Sequence, residues 1–500
     1  MPEGAPSVID SPEPAPAALV WFRTTSGRLF LRWSYIALLT VVAFHRSLAI
    51  LVQATVGDTL NGYIWMVLVA GLLATIGIAS RERRELPIHD RETDIIVGAM
   101  VLGVALLLHG VLLARYTVYF SLLRLDLVAM GWFVLGCTIV LFGLRPVIRY
   151  APVWVIVLLL FPLPYHVLVV ALGSNRAAAA LATLVVPVWA AGICVGSTRR
   201  RALIGAAMAL GVGLGVVAVM VAATPEAPLF AYQVVPSLTA VLVTVAVRFR
   251  RGSIQRPPPR ELAPLATKQV WSAVPMVAVV AVLLALVPLP RMSVPSDVAV
   301  SGAGFWKPLQ VPPGWHEERE TEYPRVARLY GADASFIRQQ IRADVGNPKW
   351  DKLSQPRLVV IDSISTRNPF AFEVYPSITL YPLPRSRVSP PRAVDLGAGV
   401  VGQLFSATDD QLLVTWNVMV WTWHHRSVAQ RILMFSVDFH EDGAPIPEPG
   451  HSVPSVLNSL LVVLFRGNAA VSNQAAQFKD ADMLAEVGRK VVAAQIESRP

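Results

Sequence analysis

The chain has 500 residues, of which 54% are hydrophobic and only 15% are charged. Because soluble domains have about 25% charged residues, this composition indicates a membrane protein and excludes an ordinary soluble enzyme. The net charge of +10 lies wholly in residues 1–300, since residues 301–500 carry 20 basic and 20 acidic residues. A basic excess confined to the apolar half reports topology and contact with the lipid bilayer, so we predict no nucleic-acid partner.

Residues 1–28 are predicted to form a disordered cytoplasmic tail. They are acidic and rich in proline to about Pro16, and they lack a basic segment followed by a short apolar core. This pattern argues against a cleaved signal peptide.

Nine apolar stretches occupy the first 290 residues. A spanning helix needs roughly 20 apolar residues, because the hydrocarbon core of a bilayer is about 30 Å thick. The predicted spans are 33–53, 62–80, 94–114, 119–143, 150–172, 177–197, 202–222, 229–247 and 269–289. The first and fourth contain ionisable residues, which leaves open whether both cross fully.

The loops between these spans alternate in arginine content. The even-numbered loops hold 14 arginines, whereas the odd-numbered loops hold only Arg115 and Arg176. Arginine-rich loops stay in the cytoplasm, so the N-terminus is predicted to be cytoplasmic and the segment after nine spans extracytoplasmic.

The pattern therefore predicts a polytopic α-helical membrane protein in the cell membrane, with a C-terminal extracytoplasmic α+β domain. An eight-span bundle is predicted at 29–248, a cytoplasmic linker rich in proline and arginine at 249–267, a ninth span at 268–290, and the distal domain at 291–500. In that domain we predict strands at 357–363, 374–381, 411–423 and 430–438, and helices at 333–343, 453–465 and 472–496.

Ionisable residues within spans are candidates for function, because insertion of each costs roughly 2.5–3.5 kcal/mol. His109 and His166 have no carboxylate at helical spacing, which favours structural histidines bonded to neighbouring backbone. Arg124 and Asp126 are two residues apart and do not share a helix face, which favours a pair snorkelling near the outer surface.

Cys194 is the one candidate nucleophile. It ends a predicted span within Gly-Ile-Cys-Val-Gly-Ser at 192–197, five residues before Arg199. A nearby guanidinium favours the reactive thiolate, whereas apolar surroundings disfavour it. The alternative is that Cys194 is a small buried residue among glycines, without a chemical role. Cys137 lies in mid-span and is predicted only to pack against neighbouring side chains.

The distal domain contains a tryptophan-rich strand followed by two histidines. Alternating aromatics are typical of a half-buried strand, whose adjacent side chains point to opposite faces. The residues are Trp416, Trp421, Trp423, His424 and His425, with His440 and His451 further along the chain. Nothing fixes a ligand geometry among them, and no nucleotide-binding or zinc-protease motif is present, so we predict no metal and no cofactor.

Three short motifs carry a family resemblance. They are Gly-Trp-Phe-Val-Leu-Gly at 131–136, Leu-Phe-Gly-Leu-Arg-Pro at 141–146 and Phe-Pro-Leu-Pro at 161–164. With the arginine-rich loop before them, they make the stretch from about 62 to 173 resemble the exosortase/archaeosortase family. The resemblance implies a polytopic thiol transpeptidase that processes C-terminal sorting signals at the cell envelope.

The same resemblance implies a cysteine followed by Ser-Gly and, further on, an arginine beside an asparagine. Here Val-Gly-Ser follows Cys194, and the stretch at 230–245 has neither arginine nor asparagine. Family active sites also face outward, whereas Cys194 faces inward on the predicted topology. The distal domain resembles the exopolysaccharide-associated domain of these systems at Trp306 and at 328–333.

The sequence therefore predicts an exosortase-like, non-catalytic scaffold or accessory in envelope assembly or export. Its expected partners are the bilayer and envelope proteins or surface polysaccharide machinery. The first alternative is a transpeptidase using Cys194 with Arg199. The second is a transporter, which would need paired intramembrane charges and an internal repeat that the sequence does not display.

Overall fold

The computed structural model describes most of the chain. The described residues are 25–56, 59–81, 91–196, 198–250, 274–290, 298–299, 306–331, 333–381, 383, 386–425, 428–440, 444–450, 453–465, 473 and 476–497. Residues 1–24 of the predicted tail at 1–28 and residues 251–267 of the predicted linker at 249–267 lie outside these residues. Residues 25–28, predicted as part of the disordered tail, instead form the first turn of a helix that continues into the first apolar segment.

Seven helical segments of the described chain are long and apolar enough to cross a membrane. Each overlaps one of the predicted spans. We label the helices α1 Thr25–Val56, α2 Tyr63–Ala79, α3 Arg91–Leu106, α4 Leu125–Phe142, α5 Ala151–Val157, α6 Leu163–Ala171, α7 Arg176–Val195, α8 Arg199–Ala223, α9 Leu229–Arg250 and α10 Val274–Leu286. A π-helical stretch, Leu107–Leu112, extends α3 toward Arg115.

The other two predicted spans take different forms. The span at 150–172 is the pair α5 and α6, which bends by 72° at Phe161 and Pro162, where proline interrupts the helical hydrogen bonds. The span at 269–289 is described only as the short apolar helix α10. The described residues therefore contain seven helices that are long and apolar enough to cross a membrane, or eight if the bent pair counts as one span.

Small residues allow close helix packing around α7, which contacts α2, α8 and α9. A Cβ placed on Gly77 of α2 would lie 2.4 Å from the Cα of Cys194. A Cβ on Gly213 of α8 would lie 2.3 Å from the side chain of Leu184. Such close approach compensates for the weak hydrophobic drive between helices in lipid.

Within the described residues, the distal domain is built on a nine-stranded sheet. Its strands are β1 Val298–Ala299, β2 Trp315–Glu322, β3 Ser335–Ala343, β4 Leu358–Thr366, β5 Arg387–Val388, β6 Arg392–Asp395, β7 Val401–Asp409, β8 Val414–His425 and β9 Val428–Val437. The order is β2-β3-β4-β9-β8-β7-β5, with β6 also paired to β7 and β1 paired in parallel to β8. All other pairs are antiparallel.

Helices cover both faces of this sheet. The short helices α11 Ala371–Val374 and α12 Ser377–Leu380, with α13 Val453–Phe465, lie between the sheet and the bundle, and α14 Ala481–Glu497 covers the other face. Alternation along each strand explains the division. Val360 and Leu433 pack into the core continuous with the bundle, whereas Ile361 and Met434 pack with α14.

Two predicted elements of the domain are wrong. Residues 333–343, predicted as a helix, form β3, because their backbone is paired on both sides by β2 and β4. Residues 374–381, predicted as a strand, fall in the two helical turns α11 and α12, and Pro376 between them interrupts any strand pairing. The predictions near 357–363, 411–423, 430–438 and 453–465 are confirmed in type, and α14 occupies the C-terminal part of 472–496.

Candidate functional site

The sequence-predicted nucleophile lies at the end of the bundle where α2, α7 and α9 finish, which we call the arginine end. Cys194 is buried, with 2% of its surface exposed. The guanidinium groups of Arg248 and Arg81 lie near its thiol. Arg199, the predicted partner, begins α8 and is exposed. The arginines that the fold brings to Cys194 are therefore Arg248 and Arg81, which sequence spacing did not identify.

Arginine side chains at this end bind backbone carbonyls where helices finish. Arg81 donates to the carbonyls of Ile193 at 2.5 Å and Gly196 at 2.6 Å. Arg248 donates to the carbonyl of Cys194 and to the hydroxyl of Ser80. The last carbonyls of a helix have no intrahelical donor and carry a partial negative charge, so a guanidinium is a suitable cap.

The opposite end, where the distal domain contacts the bundle, we call the domain end. Glu373 of α11 accepts hydrogen bonds from the backbone N–H of Leu60 at 2.6 Å and from the side-chain amide of Asn61 at 3.2 Å. Tyr375 is hydrogen-bonded to Ser174, which follows α6. These contacts join two segments of the bundle to one short segment of the domain, and we refer to them as the joint.

A polar network continues from the joint into the bundle. The side-chain amide of Gln233 donates to the carbonyl of Leu60 at 2.9 Å and to the hydroxyl of Tyr165 at 2.8 Å. Tyr165 stacks on Tyr63 with ring centroids 4.0 Å apart. Gln233 is fully buried, and a Cβ on Gly62 would lie 2.2 Å from its Oε1. Only glycine at position 62 leaves room for this amide.

The predicted snorkelling pair is instead buried within the bundle near the domain end. Arg124 binds both carboxylate oxygens of Asp126, at 3.0 and 2.9 Å, and the two side chains are 1% and 0% exposed. Arg124 precedes α4 in a left-handed conformation, with φ of 39°. Because it lies outside the helix, the helical-face rule that separated the two residues does not apply to it. The bundle therefore contains a paired intramembrane charge that the sequence analysis missed.

The two predicted structural histidines occupy different settings. His166 is buried, and its Nδ1 lies 3.2 Å from the carbonyl oxygen of Pro162. His109 is buried in the π-helical stretch, edge-on to Phe44 with ring centroids 5.2 Å apart. Cys137 is buried within α4, as packing requires.

The face of the sheet toward the bundle carries buried charges. Arg338 binds both oxygens of Asp362 at 2.6 Å, and Tyr381 donates to the same carboxylate. Arg431 donates hydrogen bonds to the backbone carbonyls of Phe372 and Tyr375, which lie on either side of Glu373 in the chain. Burial lowers the pKa of Arg431 to about 10. Arg431 thereby orients the segment that carries Glu373.

The tryptophan-rich strand of the domain, β8, lies in the hydrophobic core. Trp416, Trp421 and Trp423 are each 3% exposed or less. His440 binds Asp351 and lies against Arg357, and Arg357 donates to Asp480 at 2.7 Å, just before α14. This chain of contacts fixes the C-terminal helix to the sheet. His424 and His425 lie at the end of β8, and His451 lies outside the described residues.

Sequence reasoning missed Glu373, Tyr165 and Gln233 as site residues. The available signal was Gln233, an amide within an apolar span, since buried polar groups in a membrane need partners. No family model, curated protein or solved structure matches this chain.

Proposed function

We propose that the chain is a nine-span protein of the cell membrane, with the arginine end in the cytoplasm and the distal domain on the extracytoplasmic side. The 14 to 2 distribution of loop arginines supports this orientation. The joint agrees with it, because the domain contacts Leu60, Asn61 and Ser174, which lie in arginine-poor loops on the side opposite the arginine end.

Within this topology, we propose a non-catalytic scaffold or accessory in cell-envelope assembly or export, of exosortase-like ancestry. The observation that carries the proposal is the joint. Glu373, which is partly buried, accepts charge-assisted hydrogen bonds from the bundle, and a hydrogen bond to a charged group contributes at most about 1.5–3 kcal/mol. A domain held in this way presents a fixed surface to envelope proteins or to the surface polysaccharide machinery.

The position of Cys194 also favours a scaffold. The residue is buried at the arginine end, whereas the domain is attached at the other end of α2 and α7. A substrate bound by the domain would have to cross the bundle to reach the thiol.

Labelling with a membrane-impermeant maleimide tests the topology. In a chain whose two cysteines are replaced by alanine, Leu413→Cys places a thiol on a domain side chain that is 86% exposed, and Arg200→Cys places one at the arginine end. We expect the first to react in intact spheroplasts and the second only after permeabilisation. The reverse labelling would overturn the orientation.

Complementation of a strain lacking the chain tests the function. Cys194→Ala is expected to restore surface polysaccharide and C-terminal processing of surface proteins to wild-type levels. The joint variant Glu373→Ala with Tyr375→Phe is expected to fail at normal protein abundance. If Cys194→Ala loses processing while its abundance is unchanged, the protein is a thiol enzyme and the scaffold proposal is wrong.

A further inference from the structure

The two long helices of the distal domain, α13 and α14, cover opposite faces of the sheet and differ in surface chemistry. In α14, Glu486 and Lys490 form an ion pair whose side chains are 44% and 40% exposed. The 13 residues of α13 include no charged residue, although residues 301–500 carry 20 basic and 20 acidic ones. A helix whose outer face meets water normally carries charged or polar residues along that face. The surface of α13 is therefore unlike that of a helix in water.

The inner side of α13 lies against a membrane segment of the bundle. The helix contacts α6, and its Val456 is fully buried in the same hydrophobic core as Val169 of α6. Helix α6 is one arm of the bent pair that is apolar enough to enter a membrane, and Ser174 of the joint follows it. Because α13 packs along α6 close to the joint, it lies at the level of the membrane surface.

The other side of α13 is exposed among the described residues. Pro454, Asn458 and Leu461 are exposed, Leu461 by 42%, and their spacing places them on one helical face. The polar residues of the helix, Ser455 among them, all precede residue 460. Residues 460–465 read Leu-Leu-Val-Val-Leu-Phe. A helical segment that is apolar all round is normally buried in a protein core or in a membrane.

The length of α13 determines how it can meet the bilayer. Thirteen helical residues extend about 20 Å, which is less than the hydrocarbon core of about 30 Å, so the helix cannot cross. A helix satisfies most of its backbone hydrogen bonds internally and can therefore lie in the interfacial region of a membrane. Asn458 and the serines would then remain among the headgroups, while the apolar last turns enter the acyl chains.

We propose that α13 is an interfacial helix, embedded in the lipid leaflet at the domain end of the bundle, with the turns after Asn458 below the headgroups. Lipid is the occupant that the surroundings favour, because α6 is itself part of a membrane segment and the residue after it, Leu172, is 44% exposed. A helix held in this way joins the domain to the bilayer as well as to the bundle. The inference rests on the membrane position of the bundle and is independent of the scaffold proposal and of Cys194.

Spin labels on the full-length protein test this position. The two cysteines are replaced by alanine, a nitroxide is attached at Leu461→Cys or Asn458→Cys, and the protein is reconstituted in phosphatidylcholine nanodiscs. Collisions with oxygen, which concentrates in acyl chains, are compared with collisions with a water-soluble nickel chelate. The controls are Leu413→Cys, on a domain side chain that is 86% exposed, and Leu210→Cys, at the middle of α8 and 42% exposed.

We expect oxygen collisions to exceed nickel collisions at position 461, as at position 210, and the reverse at position 413. Position 458 should give an intermediate ratio, because it lies one turn nearer the headgroups. Because all four side chains are exposed, the labels are compatible with the fold, and the two controls confirm that the domain and the bundle are intact.

Three results would overturn the proposal. Nickel collisions at position 461 equal to those at position 413 would place α13 in water. Few collisions of either kind at position 461 would show that a protein surface, such as a second copy of the chain, covers the helix. A higher ratio of oxygen to nickel collisions at position 458 than at position 461 would show that the apolar end of α13 does not enter the leaflet.

Discussion

The two ends of the helical bundle are held by different chemistry. At the arginine end, Arg81 and Arg248 donate to backbone carbonyls of neighbouring helices. At the domain end, the acceptor is the carboxylate of Glu373, and the donors are a backbone N–H and the amide of Asn61. Carbonyl caps need only arginines near helix ends, whereas the joint needs one residue placed by the fold of a separate domain.

This difference explains why one end is visible in the sequence and the other is not. Arginine-rich loops that alternate with apolar spans form a local pattern, which can be recognised in the sequence alone. A glutamate 312 residues from the amide it binds leaves no local pattern. The same contrast decides which substitutions should be most damaging.

The largest effect is expected for Asp126→Asn, in the domain-end half of the bundle. It leaves Arg124 buried without a charged partner, and breaking a buried pair in this way costs about 3–5 kcal/mol. The measurement is chemical unfolding of the purified protein in detergent, followed by tryptophan fluorescence. Asp410→Asn is the control, because its pair with Arg387 is 49% and 63% exposed and should contribute about 0–1 kcal/mol. Equal losses would show that burial of the first pair has no energetic consequence.

A smaller loss is expected for Gly77→Ala at the arginine end. The added Cβ would lie 2.4 Å from the backbone of Cys194, so α2 and α7 must separate, and overpacking of this kind costs about 1–3 kcal/mol. Thermal melting monitored by circular dichroism provides the comparison. Gly103→Ala adds the same methyl group in α3 with nothing within 4 Å, and it should leave the melting temperature unchanged or raise it. A neutral Gly77→Ala would contradict the close crossing.

Loss of a single carbonyl cap should cost less. Arg248→Gln removes the donors to Cys194 and Ser80, and because the side chain is only part-buried we expect a loss of roughly 1 kcal/mol. Arg250→Gln, two residues further on and exposed, is the matched control and should melt as wild type. If the two variants have the same melting temperature, the hydrogen bonds of Arg248 do not stabilise the arginine end.

The smallest effect concerns the pH dependence of the distal domain. The hydrogen bond from His440 holds the pKa of Asp351 below its ordinary value. The stabilisation from this carboxylate is therefore fully present above its ordinary pKa of about 3.9 and is lost as the pH falls through the lower, folded-state pKa. An acid titration followed by tryptophan fluorescence should show His440→Ala unfolding at a higher pH than wild type. Coincident titrations would show that the contact does not contribute.

Parts of the candidate site were predictable from the sequence and parts were not. The burial of Cys194 followed from its apolar span, but its approach to Arg248 depends on the packing of α7 against α9. The burial of the Arg124–Asp126 pair was missed because helical spacing was applied to Arg124, which adopts a left-handed conformation before the helix. The kink of α1 at Phe44 and the π-helical stretch Leu107–Leu112 were not predicted, because neither segment contains a proline that would signal the irregularity.

The sequence alone determined the membrane class, the positions of the apolar helices and the separation into a bundle and a distal domain. These depend on composition and on runs of roughly 20 apolar residues, which are local properties of the chain. Only the tertiary structure decided the buried ion pair, the joint at Glu373 and the exchange of helix for strand at β3. Each of these arises from contacts between residues that the fold brings together, because buried charges and backbone groups must find partners wherever the chain provides them.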